Sequence, residues 1–251
     1  MFRILTLFVF CFFSQPAHAQ VSKVVSAETQ TWLAYFNQTR LSKHWGLWLD
    51  AHFRLKDDFV GAPASAIVRP GLTYYLMDDV RLTAAYAYVH HFPADGHQNI
   101  ALPEHRPWQQ VQWFARWPKA RLTSAIRLEE RFRRNLLNDD ALGEGYNFNW
   151  RARYNAALFV PLTKKGFQAG GFHFLLNNEI FINFGKNIVY NVFDQNRFFT
   201  GLVWQASTHS QLHFGYMNVY QQQKSGNAFK NQHAIRVFFF QNFDLRRQTR
   251  E

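Results

Sequence analysis

Residues 45–55, WGLWLDAHFRL, alternate between two kinds of side chain. Trp45, Leu47, Leu49, Ala51, Phe53 and Leu55 fall on one side, and Gly46, Trp48, Asp50, His52 and Arg54 on the other. Successive side chains of a β-strand point to opposite faces, so a period of two gives one apolar wall and one polar wall. The same pattern recurs at 66–76, 80–90, 108–117, 121–133 and 147–160, and less regularly at 172–184, 197–206, 210–221 and 232–243. Segments of about ten residues are what a tilted strand needs to cross a bilayer. Together they predict an all-β fold: a transmembrane, up-and-down antiparallel β-barrel.

The connections separate into two kinds. Ser42-Lys43-His44, Met77-Asp78-Asp79, Pro118-Lys119-Ala120, Thr163–Gly166 and Ser207-Thr208-His209 read as tight turns, while 56–65, 93–107, 134–146, 185–196 and 222–230 read as longer polar loops. Short turns on one rim and long loops on the other are the periplasmic and extracellular sides of an outer-membrane barrel. Pro93, Pro103 and Pro107 fall in the longest loop, whereas Pro70 lies inside a strand and predicts a bulge. Eleven segments can be counted, from 29–41 to 232–243. Bacterial single-chain barrels have even strand numbers. Twelve strands are therefore expected, the extra one short and hidden in 20–28 or in a loop, with ten as the alternative.

The N-terminus carries an export signal. Arg3 precedes an apolar run, ILTLFVFCFF (4–13), that is too short to span a bilayer, and Ala17-His18-Ala19 offers an A-x-A cleavage site. Residues 1–19 are read as a signal peptide, 20–243 as the barrel and 244–251 as a short basic tail. The one cysteine, Cys11, leaves with the signal, so disulfides, thiol catalysis and thiolate metal sites are excluded from the mature chain. Phe243, following Ile235, Val237 and Phe239 on one face, resembles the terminal signal read by the barrel-assembly machinery. That machinery, outer-membrane lipid and lipopolysaccharide are the expected partners.

Composition supports this class. Aromatic residues make up 18% of the chain, with 27 Phe, 8 Trp and 10 Tyr, enough to supply girdles at both membrane interfaces. No window after the signal approaches 18 uninterrupted apolar residues, which excludes a helical membrane protein. The formal net charge is +11, but the basic residues sit singly on polar strand faces and not along a helix. Nucleic acid is therefore not an expected partner.

Three stretches resemble a known family: QTWLAYFNQTRLSKHWGLWLDAHFR (30–54), RPGLTYYL (69–76) and RLEER (127–131). They are similar to domain-of-unknown-function family 2490, an outer-membrane family. The resemblance implies a barrel in the outer membrane and carries no activity, cofactor or functional residue with it.

The residues with the most chemistry are inward-facing charges. Arg54, Arg69, Arg81, Arg127, Arg131, Arg133, Arg151, Arg153 and Arg236 form a basic ladder, against which Glu129, Glu179 and Asp50 are the few acids. A ring of guanidinium groups in a narrow lumen concentrates anions. The competing reading is a salt-bridge network that fills a closed barrel, since small barrels have interiors that side chains can pack. In the 90–107 stretch, His90, His91, His97 and His105, with Asp95 and Glu104, supply imidazole and carboxylate, although their spacing matches no zinc motif. No catalytic set emerges: Asp57-Asp58 and Asp139-Asp140 are acid pairs in loops, and His209-Ser210 are adjacent residues that a strand would point apart. The function expected is structural or that of a narrow anion-preferring channel. A barrel-embedded hydrolase acting on lipid or peptide, or a binding and adhesion module built from the outer loops, are the alternatives.

Overall fold

The computed structural model describes residues 22–246, which form eleven β-strands and no helix. They are β1 (Val24–Arg40), β2 (Trp45–Lys56), β3 (Ala62–Met77), β4 (Val80–His91), β5 (Leu102–Trp117) and β6 (Ala120–Leu136). β7 (Leu142–Pro161), β8 (Phe172–Phe184), β9 (Phe193–Gln205), β10 (Ser210–Gln222) and β11 (Ala228–Asp244) complete the sheet. It closes into a barrel in chain order. The signal peptide expected at 1–19 lies outside the described residues, as does most of the tail.

Eleven strands replace the twelve, or ten, expected. Residues 24–28 are not a separate strand but the beginning of β1. Every sequential pair is antiparallel, whereas β1 and β11 pair in parallel, from Val24 opposite Ala228 to Arg40 opposite Asp244. An even number is needed only where the closing pair is antiparallel, and here it is not. Side chains fasten this seam on both faces. Inside, the Phe36 and Phe240 rings stack at 4.4 Å with planes 5° apart. Outside, Tyr35 stacks on Phe239 and its hydroxyl donates to Gln241 Oε1 at 2.7 Å.

The strands reach further than the sequence suggested. The loops on one rim contract to 57–61, 92–101, 137–141, 185–192 and 223–227, while on the other the β7–β8 connection lengthens to 162–171. Pro103 and Pro107, expected in the longest loop, lie in β5. Above the apolar belt a strand can be polar on both faces, so its alternation disappears although its backbone ladder continues. Pro70 produces no bulge. Leu49 still faces Pro70 on β2, and on β4 the pairing lapses at Arg69 and Pro70, then resumes in register with Gly71 opposite Ala85. Pro107 does the same between β5 and β6. A missing N–H costs a ladder bond but does not by itself insert a residue. The register shifts lie elsewhere, at Arg54/Leu55, Tyr75/Met77, Arg134/Leu136 and Phe181/Ile182.

The faces of β2 fall as its alternation requires. Trp45, Leu47, Leu49 and Phe53 are exposed, and Trp48, Asp50 and His52 are buried. Around the barrel the outer surface is apolar, with Val68, Leu72, Leu82, Val111, Ile126, Ile180 and Ile235 all exposed. Aromatic residues border it on both rims. Trp45, Tyr74, Trp117 and the stacked pair Phe172–Trp204 lie near the turns. Tyr88, His105, Tyr146 and the stacked pair Trp150–Phe184 lie near the loops.

Gly201 and Gly215 face each other across β9 and β10, and the Phe199 ring fills the space that their missing side chains leave. A Cβ on Gly215 would meet the backbone oxygen of Thr200 at 2.3 Å and Cα of Gly201 at 2.5 Å. Backbone cannot step aside as a flexible side chain does. Gly215→Ala is expected to cost about 1–3 kcal/mol as an overpacked site, read from urea unfolding of the refolded barrel. Unchanged stability would show that the two strands can part at this point without loss.

Candidate anion site in the barrel lumen

The inward faces carry two layers of different composition. The layer nearer the loops is a network of ion pairs spanning β4, β5, β6, β7 and β9. Glu104, fully buried on β5, is its hub. Its Oε1 accepts from Arg106 Nη2 and from Arg131 Nε, each at 2.7 Å, and its Oε2 accepts from Arg133 Nε at 3.2 Å and pairs with His91 Nε2 at 3.0 Å. Arg151 bridges to the rest: its Nε donates to Glu129 Oε2 and its Nη1 to Asp194 Oδ2, both at 2.7 Å. Glu104, Glu129, Asp194, Arg131 and Arg151 are all buried, so side chains fill the lumen at this level. On the loop-side rim, Lys224 sits above the layer. Partial burial, together with Arg133 and Arg131, holds its ammonium pKa below the usual lysine value.

Towards the turns the lumen opens into a chamber of about 390 Å³. It reaches the rim at Arg116 and Arg121, both exposed, and Glu104, Arg106, Arg131, Arg151 and Asp194 of the ion-pair layer are not among its lining residues. Nine arginines line it, with one carboxylate, Glu179. Some of these cations are matched. Arg69 Nε donates to Asp50 Oδ1 at 2.5 Å, Asp50 also accepting from the Trp48 indole. Arg153 and Arg197 share Glu179, and Arg116 pairs with Asp79 in the turn.

Others stack on aromatic faces: among the described residues Arg54 and Arg236 form no ion pair with a carboxylate, and Arg127 has Glu129 Oε1 4.0 Å from its Nη1. The Arg54 guanidinium lies 3.5 Å from the centroid of the Trp32 ring, Arg127 lies 3.7 Å from that of Trp108, and Arg236 lies 4.0 Å from that of Phe199. Stacking of this kind holds the plane of a guanidinium by cation–π attraction while leaving its edge donors free. Buried nitrogens on all three lack a hydrogen-bond partner: Arg54 Nε, Arg127 Nη1 and Arg236 Nε. Arg127 spends its other donors on Gln110 Oε1, at 2.9 and 2.8 Å. Native structures rarely leave buried donors unmade, because each costs its desolvation without return.

The expected ladder is thus divided. Arg54, Arg69, Arg81, Arg127, Arg153, Glu179 and Arg236 surround the chamber, while Arg131, Arg133, Arg151 and Glu129 belong to the ion-pair layer. Sequence reasoning took Glu104 only as a loop carboxylate and missed Arg106, both placed by the loop reading of 93–107; it also missed Asp194, in the stretch read as loop 185–196, and did not single out Arg197, the first residue of the strand read as 197–206. The signal was present in β5, where Glu104, Arg106, Trp108 and Gln110 alternate through both prolines.

The four histidines considered for a metal do not converge. His90 packs on Phe92, His91 pairs with Glu104, His97 Nδ1 faces the Ile100 carbonyl at 2.8 Å, and His105 pairs with the Tyr86 hydroxyl on the outer face. Among the described residues no three His, Cys, Asp or Glu side chains form a group suited to a metal ion. The loop acids have local roles. Asp57 and Asp58 belong, with Phe59, to a run of three left-handed residues, and Asp140 accepts from Asn99 Nδ2 at 2.6 Å. His209 Nδ1 faces the Asn242 carbonyl at 3.2 Å, and the Ser210 N–H donates to Ser207 Oγ.

Wall and lumen together define a closed β-barrel with a basic interior, half packed and half hollow. Over residues 29–230 the chain matches the family described as protein of unknown function (DUF2490), and it belongs to that family. Nothing matches among curated proteins or among solved structures.

Proposed function

We propose that this protein is an outer-membrane barrel that takes up anions from its turn-side rim into a blind chamber and does not conduct them through. The observation that carries the reading is the charge of the chamber wall, nine arginines to one carboxylate, ending at a packed ion-pair layer. Membrane placement is supported by the exposed apolar outer surface, far beyond the isolated patches of soluble monomers, and by its two aromatic borders. The expected N-terminal export signal and the aromatic residue Phe243 at the end of the last strand support the outer membrane in particular, with the turn side periplasmic. An unbalanced cationic wall set in low-dielectric surroundings focuses the field and raises the local anion concentration.

Two measurements test this. In planar bilayers the refolded protein is expected to give no steady single-channel current. In detergent, inorganic phosphate is expected to bind saturably, and more weakly as ionic strength rises, because part of the attraction is long-ranged and screened. A steady open-channel current overturns the blind chamber, and failure to bind phosphate at low salt overturns the anion reading.

A further inference from the structure

We infer that the ligand of the chamber is an amphipathic anion, an oxyanion head on a compact apolar body, which enters head first from the turn-side rim. The inference rests on the anion reading above and deepens it by naming the ligand's chemistry. Two features of the wall, at different depths, point to it.

The inner end offers donors without acceptors. Arg54 Nε, Arg127 Nη1 and Arg236 Nε make no hydrogen bond, the nearest carboxylate oxygen to the second being Glu129 Oε1 at 4.0 Å, and Arg127 and Arg236 are at least nine-tenths buried. Arg69 and Arg197 line the same chamber and are matched by Asp50 and Glu179, whereas among the described residues Arg54 has no carboxylate partner. A buried guanidinium without a counter-charge favours the entry of an anion, and a planar oxyanion matches its edge donors. The aromatic rings behind Arg54, Arg127 and Arg236 fix their orientation before the ligand arrives, so little side-chain freedom is lost on binding.

Nearer the mouth, alongside polar and basic residues, the wall carries an apolar strip. β11 runs towards the turn-side rim, so Phe238 and Phe240 follow Arg236 outward on the same inward face. On β7, Ala157 and Phe159 likewise follow Arg153, and Leu175 of β8 faces the same space. A small hydrated anion such as phosphate would leave this strip in contact with water. An apolar body would cover it, at a gain of roughly 25 cal/mol per Å² removed from water. The chamber volume falls within the range of small-molecule pockets, ~300–1,000 Å³.

The test uses the refolded full barrel in detergent and compares three soluble probes by calorimetry: 1-naphthoate, inorganic phosphate and 1-naphthylmethylammonium. Naphthoate is expected to bind about tenfold or more tighter than phosphate, from its buried ring, and the ammonium probe not at all. Arg54→Gln and Arg236→Gln should each weaken naphthoate and phosphate together by about tenfold or more, the loss of one charge-assisted contact. Phe159→Ala should weaken naphthoate alone. Heat-dependent gel mobility identifies folded barrels, and Arg121→Gln at the mouth, which leaves the inner donors intact, should retain most of the naphthoate affinity. Naphthoate binding no tighter than phosphate overturns the amphipathic ligand and leaves the anion chamber standing. Binding of neither anion overturns both, and equal binding of the ammonium probe shows simple hydrophobic partitioning and also overturns the inference.

Discussion

Replacing Glu104 by Gln is expected to destabilise the barrel by about 3–5 kcal/mol, the cost of removing one partner from a buried ion pair. The substitution keeps the shape of the side chain and deletes its charge. Arg106, Arg131 and Arg133 all donate to this carboxylate, with His91 beside them, and Glu104 has no solvent exposure. Without it, guanidinium groups within a few ångströms of one another lose their shared counter-charge in a place that water does not reach. Urea unfolding of the refolded protein provides the measurement. A second substitution, Arg131→Met, made together with Glu104→Gln, should recover part of the loss, because it removes one of the stranded cations. A thermodynamic cycle over the two changes isolates their coupling. A loss below about 1 kcal/mol for Glu104→Gln, the range of exposed pairs, would mean that water enters this layer and that the lumen is not packed there.

Ile126→Arg is expected to cost about 2–4 kcal/mol in lipid, the range for a basic residue facing the bilayer midplane. Ile126 is 53% exposed, and its cross-strand neighbours are Val111 and Tyr154, also on the outer face. It lies near the middle of β6, between the two aromatic borders. Arg127, one residue on, points into the lumen and is buried. Arg127→Leu should therefore leave insertion into vesicles intact and register instead in phosphate binding. The two substitutions are close in sequence and opposite in chemistry, and their consequences should separate by compartment. Equal tolerance of Arg at 126 in detergent and in vesicles would remove the support that the apolar belt gives to a membrane location.

Alternation made the faces legible wherever the outer side is apolar. β2 could be assigned residue by residue because Leu47 and Leu49 contrast with Trp48, Asp50 and His52 under a single periodicity. The same rule failed at the loop-side ends of β5, β6 and β7, where Glu104, Arg133 and Tyr146 lie in regular ladder pairing although neither face is reliably apolar. Pattern reports environment, and where both environments are polar it falls silent. Strand number was in view as eleven segments but was adjusted to suit antiparallel closure, which nothing local in β1 or β11 contradicts: the parallel seam joins residues about two hundred positions apart. The division of the arginines was unreadable for a related reason. Arg131 and Arg127 share a face of β6, yet one meets Glu104 and the other a chamber, and only the positions of β5 and β7 across the lumen decide which.

The parallel seam also governs where the chain comes and goes. Because β1 and β11 run in the same direction, Val24 stands on the loop-side rim and Asp244 on the turn-side rim, separated along the strand by on the order of 50 Å. In a barrel of even strand number the two ends meet at one rim and can be spliced, so that the sequence can be reopened at any hairpin. Here a splice would have to run the height of the barrel, along its outer wall or through the packed lumen. The order of the strands around this barrel is therefore fixed to a single starting point. Labels attached near its two ends would face opposite sides of whatever surface it spans.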